Sequence, residues 1–316
     1  MLIVLYLIVA AAVVYASIKA SQYIDLIDRT TKLSGAFLGG VLLSAITSLP
    51  ELFTSLSATL VLKKPSMSIG NILGSNLFNI AMLSAVFLLA IRSVRRVSFA
   101  RGNIMVSIYL ILIYAVMALD YTGILRFDIG TVNVITFIFI GIYALAVRHL
   151  SGDSPADAAE DEEPVAMSLR TIVVRFVLAG TAIVGLSIVM TYVTDAVAVQ
   201  YNIGEGFAGA LLLGVATSLP EVSSTIALFR IKNYDIAVGN IVGSNLFNFL
   251  VLCIADIASF RDSIYVYDDG KVVALLLFGG TATLLTLPML KIRSGILRGV
   301  CAVAIFACYI AFLLIK

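Results

Sequence analysis

Thr47-Ser48-Leu49-Pro50-Glu51 occurs a second time as Thr217-Ser218-Leu219-Pro220-Glu221, 170 positions further on. Each copy lies inside a long apolar run and is followed by a second polar string. The first is Gly70-Asn71-Ile72-Leu73-Gly74-Ser75-Asn76-Leu77-Phe78-Asn79, and the second is Gly239-Asn240-Ile241-Val242-Gly243-Ser244-Asn245-Leu246-Phe247-Asn248. The surrounding chain decides what such duplicated polar clusters mean. Its 316 residues are 61% hydrophobic and 13% charged, with mean hydropathy +1.07. Soluble domains carry roughly 45–50% apolar and about 25% charged residues, so this is an integral membrane protein whose surroundings include the lipid bilayer.

A bilayer core needs about 20 apolar residues per helix. Ten such segments are predicted: Leu2–Ile18, Gly35–Leu62, Ser68–Ile91, Asn103–Leu119, Ile129–Val147, Phe176–Val193, Gly204–Phe229, Ile236–Ile257, Val272–Leu290 and Ile296–Leu314. Residues 1–18 lack a basic leader and a small-residue cleavage site, and so read as a first spanning helix. Residues 151–168 hold Asp153, Asp157, Glu160, Asp161, Glu162 and Glu163 among alanines and prolines, a composition that reads as a solvated linker. The linker lacks the ligand spacing and glycine of an EF-hand loop.

That linker separates a first repeat, 1–150, from a second, 169–316, with the motif regions at 44–79 and 214–248. Five segments is an odd number, so the second repeat starts on the opposite side of the membrane. The predicted fold is therefore all-α, with ten transmembrane helices in two inverted five-helix repeats, the plan of many secondary transporters. Fifteen of the 21 lysines and arginines fall on the side that carries the linker. The positive-inside rule then places the linker in the cytoplasm and both termini outside, in a multi-pass protein of the cell membrane.

A formal net charge of +2 with dispersed basic residues excludes a nucleic-acid partner. Cys253, Cys301 and Cys308 show no metal or disulfide spacing and read as small core residues; His149 reads as interfacial. A monomer is compatible with the sequence, and nothing in it suggests an enzyme or a cofactor.

Carboxylates inside spanning segments are costly and usually mark an ion path. Glu51 and Glu221 hold equivalent positions, each four residues after a threonine, Thr47 or Thr217, which helical spacing puts on the same face. Asn71, Ser75 and Asn79 follow at steps of four, and Asn240, Ser244 and Asn248 repeat the stripe. Pro50 and Pro220 lack an N–H and crowd the carbonyl four residues earlier. Breaks in helices 2 and 7 are therefore expected near Ile46 and Ala216, with freed carbonyls aimed at a cavity. Gly70, Gly74, Gly239 and Gly243 would let facing helices approach closely. Oxygen ligands without thiolate or imidazole suit hard cations: two carboxylates balance one Ca²⁺, two Na⁺ or two protons.

At these residues the chain resembles the cation/calcium antiporter superfamily, specifically its sodium/calcium exchanger branch. The paired TSLPE and GNxxGSNxxN strings look like the family's α-repeats. The resemblance implies Ca²⁺ bound by Glu51 and Glu221, shared with Na⁺, with flanking oxygens from Thr47, Ser48, Ser75, Thr217, Ser218 and Ser244. It further implies Asn79 and Asn248 at the central site and outer Na⁺ contacts at the carbonyls of Ser44 and Gly214. Ile46 and Ala216 stand where the family usually has glycine, and Asn248 where some members have Asp. The absence of a large cytoplasmic regulatory domain points to a prokaryotic, core-only transporter. The resemblance implies secondary active antiport of Ca²⁺ and Na⁺ by alternating access, with the first and sixth segments as the sliding elements. Calcium/proton exchange is the nearest alternative, although the GNxxE signature of that branch is missing; a passive cation channel and a non-transporting scaffold are further ones.

Overall fold

The computed structural model describes residues 2–30, 38–151, 167–203, 207–260 and 263–315. The predicted starts of the second and seventh segments, Gly35 and Gly204, and most of the acidic linker lie outside the described residues.

Helix α1 (Leu2–Thr30) is followed by a π-helical turn, Leu38–Leu43, that leads into α2 (Ser44–Thr47) and, across Ser48, α3 (Leu49–Leu56). A second π turn, Ser57–Val61, ends this stretch before α4 (Pro65–Leu89), the short α5 (Ile91–Val94) and α6 (Arg101–Tyr121). A two-residue antiparallel ladder, β1 (Asp128–Ile129) with β2 (Val132–Asn133), precedes α7 (Val134–Ser151). The second half contains α8 (Leu169–Tyr201), a π turn at Ala208–Leu213 running into α9 (Gly214–Arg230), α10 (Tyr234–Ser259), α11 (Gly270–Lys291) and α12 (Gly295–Leu314).

Among the described residues, eight helices are long and apolar enough to cross a membrane. The pair Gly40–Thr47 and Leu49–Val61, bent by 46°, raises this to nine; Val134–Leu150, overlapping the predicted fifth segment, is a shorter apolar helix. α1 and α8 are longer than hydropathy suggests, running on to Thr30 and spanning Leu169–Tyr201, because a helix continues past its apolar stretch once polar side chains reach water.

The expected breaks need correction. In the first repeat the interruption falls at Ser48 (φ −90°, ψ 7°), two residues after Ile46, because Pro50 lies in the first turn of α3, where its missing N–H leaves no bond unmade. In the second repeat α9 continues through Pro220 and is not broken at Ala216. A membrane helix absorbs one lost bond when polar neighbours surround it; the irregular backbone before α9, the π turn Ala208–Leu213, has its counterpart at Leu38–Leu43 in the first repeat.

α4 and α10, each with 72% of its apolar stretch buried, form the centre. α1 and α8 pack along one another at the periphery, through Ala16, Ala20 and Ile183, and are only 28% and 22% buried. Their outward faces carry exposed Leu7, Ile8, Val177 and Leu178, as lipid contact requires. Two glycines set how closely the centre packs. A Cβ at Gly74 would stand 2.5 Å from the Ala210 Cα, and one at Gly243 would stand 2.7 Å from the Gly40 Cα. Each central helix thus crosses the π turn of the other repeat, backbone against backbone.

Candidate cation-binding site

The crossings bring together residues far apart in the chain. Glu51 lies in the first turn of α3 and Glu221 one residue after Pro220 in α9; both are completely buried. The hydroxyls that reach them come from the opposite repeat. Ser218 Oγ donates to Glu51 Oε1 at 3.0 Å, and Ser48 Oγ donates to Glu221 Oε1 at 3.2 Å. Each serine sits three residues before the glutamate of its own repeat, yet serves the other one.

The same exchange governs the threonines. Thr47 Oγ1 lies 3.3 Å from Ser244 Oγ and 3.4 Å from Asn240 Oδ1. Thr217 Oγ1 lies 3.4 Å from both Ser75 Oγ and Asn71 Oδ1. Both also reach back along their own helices, to the carbonyls of Leu43 (3.0 Å) and Leu213 (2.9 Å). Ser75 Oγ donates to the Gly214 carbonyl at 3.1 Å. The Ser44 carbonyl accepts from the Ser48 N–H at 3.0 Å and stays within its own helix.

Asn79 and Asn248 meet through a clasp of four asparagines. Asn79 Nδ2 donates to Asn245 Oδ1 (3.0 Å) and Asn248 Nδ2 to Asn76 Oδ1 (2.9 Å). Asn245 Nδ2 donates to the Asn76 carbonyl at 2.9 Å, and Asn76 Nδ2 to the Asn245 carbonyl at 3.4 Å. With their N–H₂ groups so engaged, Asn79 and Asn248 are left with amide oxygens that have no partner.

Four buried acceptors therefore stand unpaired in matched positions: Glu51 Oε2, Glu221 Oε2, Asn79 Oδ1 and Asn248 Oδ1. A buried acceptor without a donor costs about 1–3 kcal/mol, and more when charged. Carboxylate and amide oxygens are of the class that hard cations take as ligands. Among the described residues no three His, Cys, Asp or Glu side chains group together. All twelve residues assigned to the site from sequence are buried.

The sodium/calcium exchanger protein family matches the chain over residues 1–151 and 171–315. The chain belongs to this family. Inner membrane protein YrbG of Escherichia coli (strain K12) is 29% identical over 249 residues, covering 76% of this chain and 74% of that protein. The fold is shared with a crystal structure of the H⁺/Ca²⁺ exchanger CAX, at TM-score 0.78 and 19% identity, covering 100% of this chain and 82% of that one. It is also shared with the sodium-calcium exchanger NCX_Mj, at TM-score 0.68 and 21% identity over 100% of both chains.

Sequence periodicity missed two parts of this exchanger-family protein. Asn76 and Asn245 stand one residue off the stripes of four, so helical spacing put them on another face; their recurrence in both copies of the GSNLFN string was the available signal. Asn71, on the stripe, acts as a brace, donating to Thr54 Oγ1 (2.9 Å) and Ser55 Oγ (3.0 Å). The second part is a buried hub at the ends of α6 and α10. Asn133 donates its backbone N–H to Asp256 Oδ2 (3.0 Å) and its side-chain Nδ2 to Asp120 Oδ1 (3.2 Å). Asp256 also accepts from Thr136 Oγ1 (2.8 Å) and the Ile264 N–H (3.0 Å). Three donors reach that carboxylate, which ties α7 and the loop after α10 to the end of α10.

Proposed function

We propose that the protein is a secondary active antiporter that exchanges Ca²⁺ for Na⁺ across the cell membrane by alternating access. The observation that carries this reading is the set of four unpaired buried oxygens on Glu51, Glu221, Asn79 and Asn248. Glu51 and Glu221 hold Ca²⁺ and share their oxygens with Na⁺. Thr47, Ser48, Ser75, Thr217, Ser218 and Ser244 supply hydroxyl or backbone oxygens around them, with the carbonyls of Ser44 and Gly214 at the outer Na⁺ positions. The exchanged bonds between repeats support ten spans in two inverted halves, with α7 as the fifth. Both termini face outward and the linker at 151–168 is cytoplasmic, in keeping with the distribution of basic residues.

Na⁺ as counter-ion is supported by the missing GNxxE signature. The GNxxE signature of the calcium/proton branch would place a glutamate at Gly74 or Gly243, where even a Cβ meets the backbone of Ala210 at 2.5 Å or Gly40 at 2.7 Å. The test is calcium uptake by proteoliposomes loaded with Na⁺ and diluted into Na⁺-free medium, beside a parallel set driven by a pH gradient. Uptake should follow the Na⁺ gradient and vanish in Glu51→Gln and Glu221→Gln. Uptake that ignores Na⁺ but follows pH would transfer the protein to calcium/proton exchange, and downhill flux without any counter-ion would make it a channel.

A further inference from the structure

Two buried hydroxyls beside the asparagine clasp are unused by the site. Tyr114 is the fourteenth residue of α6 and Thr283 the fourteenth of α11, so they hold equivalent positions in the two repeats. Both side chains are buried, and neither Tyr114 Oη nor Thr283 Oγ1 has a hydrogen-bond partner. Thr286, on the same helix, returns its hydroxyl to the Ala282 carbonyl at 3.0 Å, and Thr283 makes no bond of that kind. The Tyr114 hydroxyl lies beside the Thr283 hydroxyl and the side-chain amide of Asn76. It gets there over bare backbone: a Cβ at Gly279 would stand 2.6 Å from Tyr114 Oη, and one at Gly280 would stand 3.5 Å from Tyr114 Cδ1. Phe249 meets the ring edge-on at 5.3 Å and limits its freedom. The other repeat does not copy this arrangement, because Leu110 stands where Gly279 does and threonine replaces the long tyrosine. The clasp is unequal as well. Asn245 Nδ2 donates to the Asn76 carbonyl at 2.9 Å, whereas Asn76 Nδ2 reaches the Asn245 carbonyl only at 3.4 Å. An amide nitrogen carries two N–H groups, so Asn76 is weakly held by one and has a second to give.

We infer that Tyr114 is a positioning residue that raises the preference of the site for Ca²⁺ over Na⁺, by accepting the second N–H of Asn76 when a cation takes the Asn248 oxygen. The inference rests on the cation-binding reading of Asn248. Asn248 Nδ2 donates to Asn76 Oδ1 at 2.9 Å, so Asn248, Asn76, Tyr114 and Thr283 stand in one series leading away from the cation. Linked hydrogen bonds polarise one another in a low-dielectric interior. A cation at Asn248 Oδ1 draws electron density from that amide and makes its N–H₂ the stronger donor to Asn76. Asn76 then becomes the stronger donor to Tyr114 Oη, and the tyrosine O–H turns to Thr283 Oγ1. Two buried hydroxyls that stand unpartnered in the described conformation are thereby satisfied, and the Asn248 oxygen is held on the ion. Coulomb energy is proportional to charge, so Ca²⁺ drives the series about twice as hard as one Na⁺. The other arm of the clasp runs from Asn79 to Asn245 and does not include Tyr114.

Tyr114→Phe removes the hydroxyl and keeps the ring, and titration calorimetry on the full chain in detergent tests the role, with Ca²⁺ titrated directly and Na⁺ by competition. Calcium affinity should fall about three- to tenfold while sodium affinity changes less than twofold and the melting temperature stays near that of wild type. Gly279→Ala, whose Cβ would displace the hydroxyl, should reproduce the loss of calcium affinity. Thr283→Val should show part of it, and Thr283→Ser should bind like wild type. Backgrounds separate the two arms of the clasp: the Tyr114→Phe loss should persist in Asn79→Ala and disappear in Asn248→Ala, each titrated to saturating calcium. If Asn248→Ala cannot be saturated, the ratio of the Ca²⁺ and Na⁺ affinities in Tyr114→Phe decides alone. Unchanged calcium affinity in Tyr114→Phe, or equal losses for both ions, would overturn the assignment of Tyr114. Wild-type protein that binds neither ion would overturn the cation-binding reading instead.

Discussion

Replacing Gly74 by alanine should loosen the site without touching any of its oxygens. The added Cβ would lie 2.5 Å from the Ala210 Cα and 2.7 Å from its carbonyl oxygen. Carbon atoms prefer separations of about 3.5–4.0 Å, so α4 and the π turn Ala208–Leu213 must part by about 1 Å. Both contacts are with backbone, and no side chain can rotate away. Overpacking of this kind costs about 1–3 kcal/mol. The Ser75–Gly214 bond of 3.1 Å crosses the same contact and loses its geometry, adding about 1 kcal/mol. Gly74→Ala should therefore destabilise the protein by about 2–4 kcal/mol, read as a lower melting temperature in detergent, with calcium uptake reduced at least tenfold. Gly243→Ala, against Gly40, should behave alike. Gly185→Ala is the control: it lies within α8 with nothing inside 4 Å of its Cβ, and should be neutral or slightly stabilising. If Gly74→Ala melts and transports like wild type, backbone contact between the repeats does not hold the site.

Other expectations address the surrounding frame. Arg298, fully buried, donates to the carbonyls of Val94, Val97 (2.7 Å) and Leu290 (3.3 Å) and lies 5.1 Å from the Phe99 ring; Arg298→Leu would strand these acceptors and should cost at least about 3 kcal/mol in denaturant unfolding. Asn245→Ala removes the partner of Asn79 and should weaken calcium binding by titration calorimetry about tenfold or more, with a smaller effect on melting than Gly74→Ala. Asp256→Ala leaves three donors of the loop hub unpaired and should lower stability by about 2–5 kcal/mol while the affinity of folded protein for calcium is retained.

Much of the site could be read from the sequence because its elements are duplicated. Glu51 and Glu221 stand out since a carboxylate is expensive in an apolar run, and a second copy removes coincidence. The paired serines and the terminal asparagines followed from the same repetition. Which residue serves which carboxylate did not follow, because helical periodicity orders groups along one helix and says nothing of the helix that crosses it. Thr47 and Glu51 were expected to work together; Thr47 instead faces Asn240 and Ser244, and Ser48 serves Glu221. Proline was similarly ambiguous. At Pro50 the missing N–H falls in the first turn of a new helix, whereas α9 runs on through Pro220, although a π turn precedes both prolines at the same offset. Periodicity favoured Asn71 over Asn76, yet Asn71 braces Thr54 and Ser55 while Asn76 holds Asn248.

The exchange of partners has a mechanical consequence. If each serine served its own glutamate, either repeat could assemble half a site alone, and a cation on that half would need nothing from the other. Here Glu51 is oriented by Ser218 and Glu221 by Ser48, so neither carboxylate is in place until the repeats have met. The asparagine clasp imposes the same condition at Asn79 and Asn248, whose amides are held across the repeat boundary. Closure and ligand assembly are thus one event. Two buried carboxylates brought together without positive charge oppose that event, and under the proposed function a bound Ca²⁺, or Na⁺ ions in its place, would offset the repulsion. The bonds at the centre respect the repeat, while Thr59 and Phe229, at equivalent sequence positions after the two glutamates, do not.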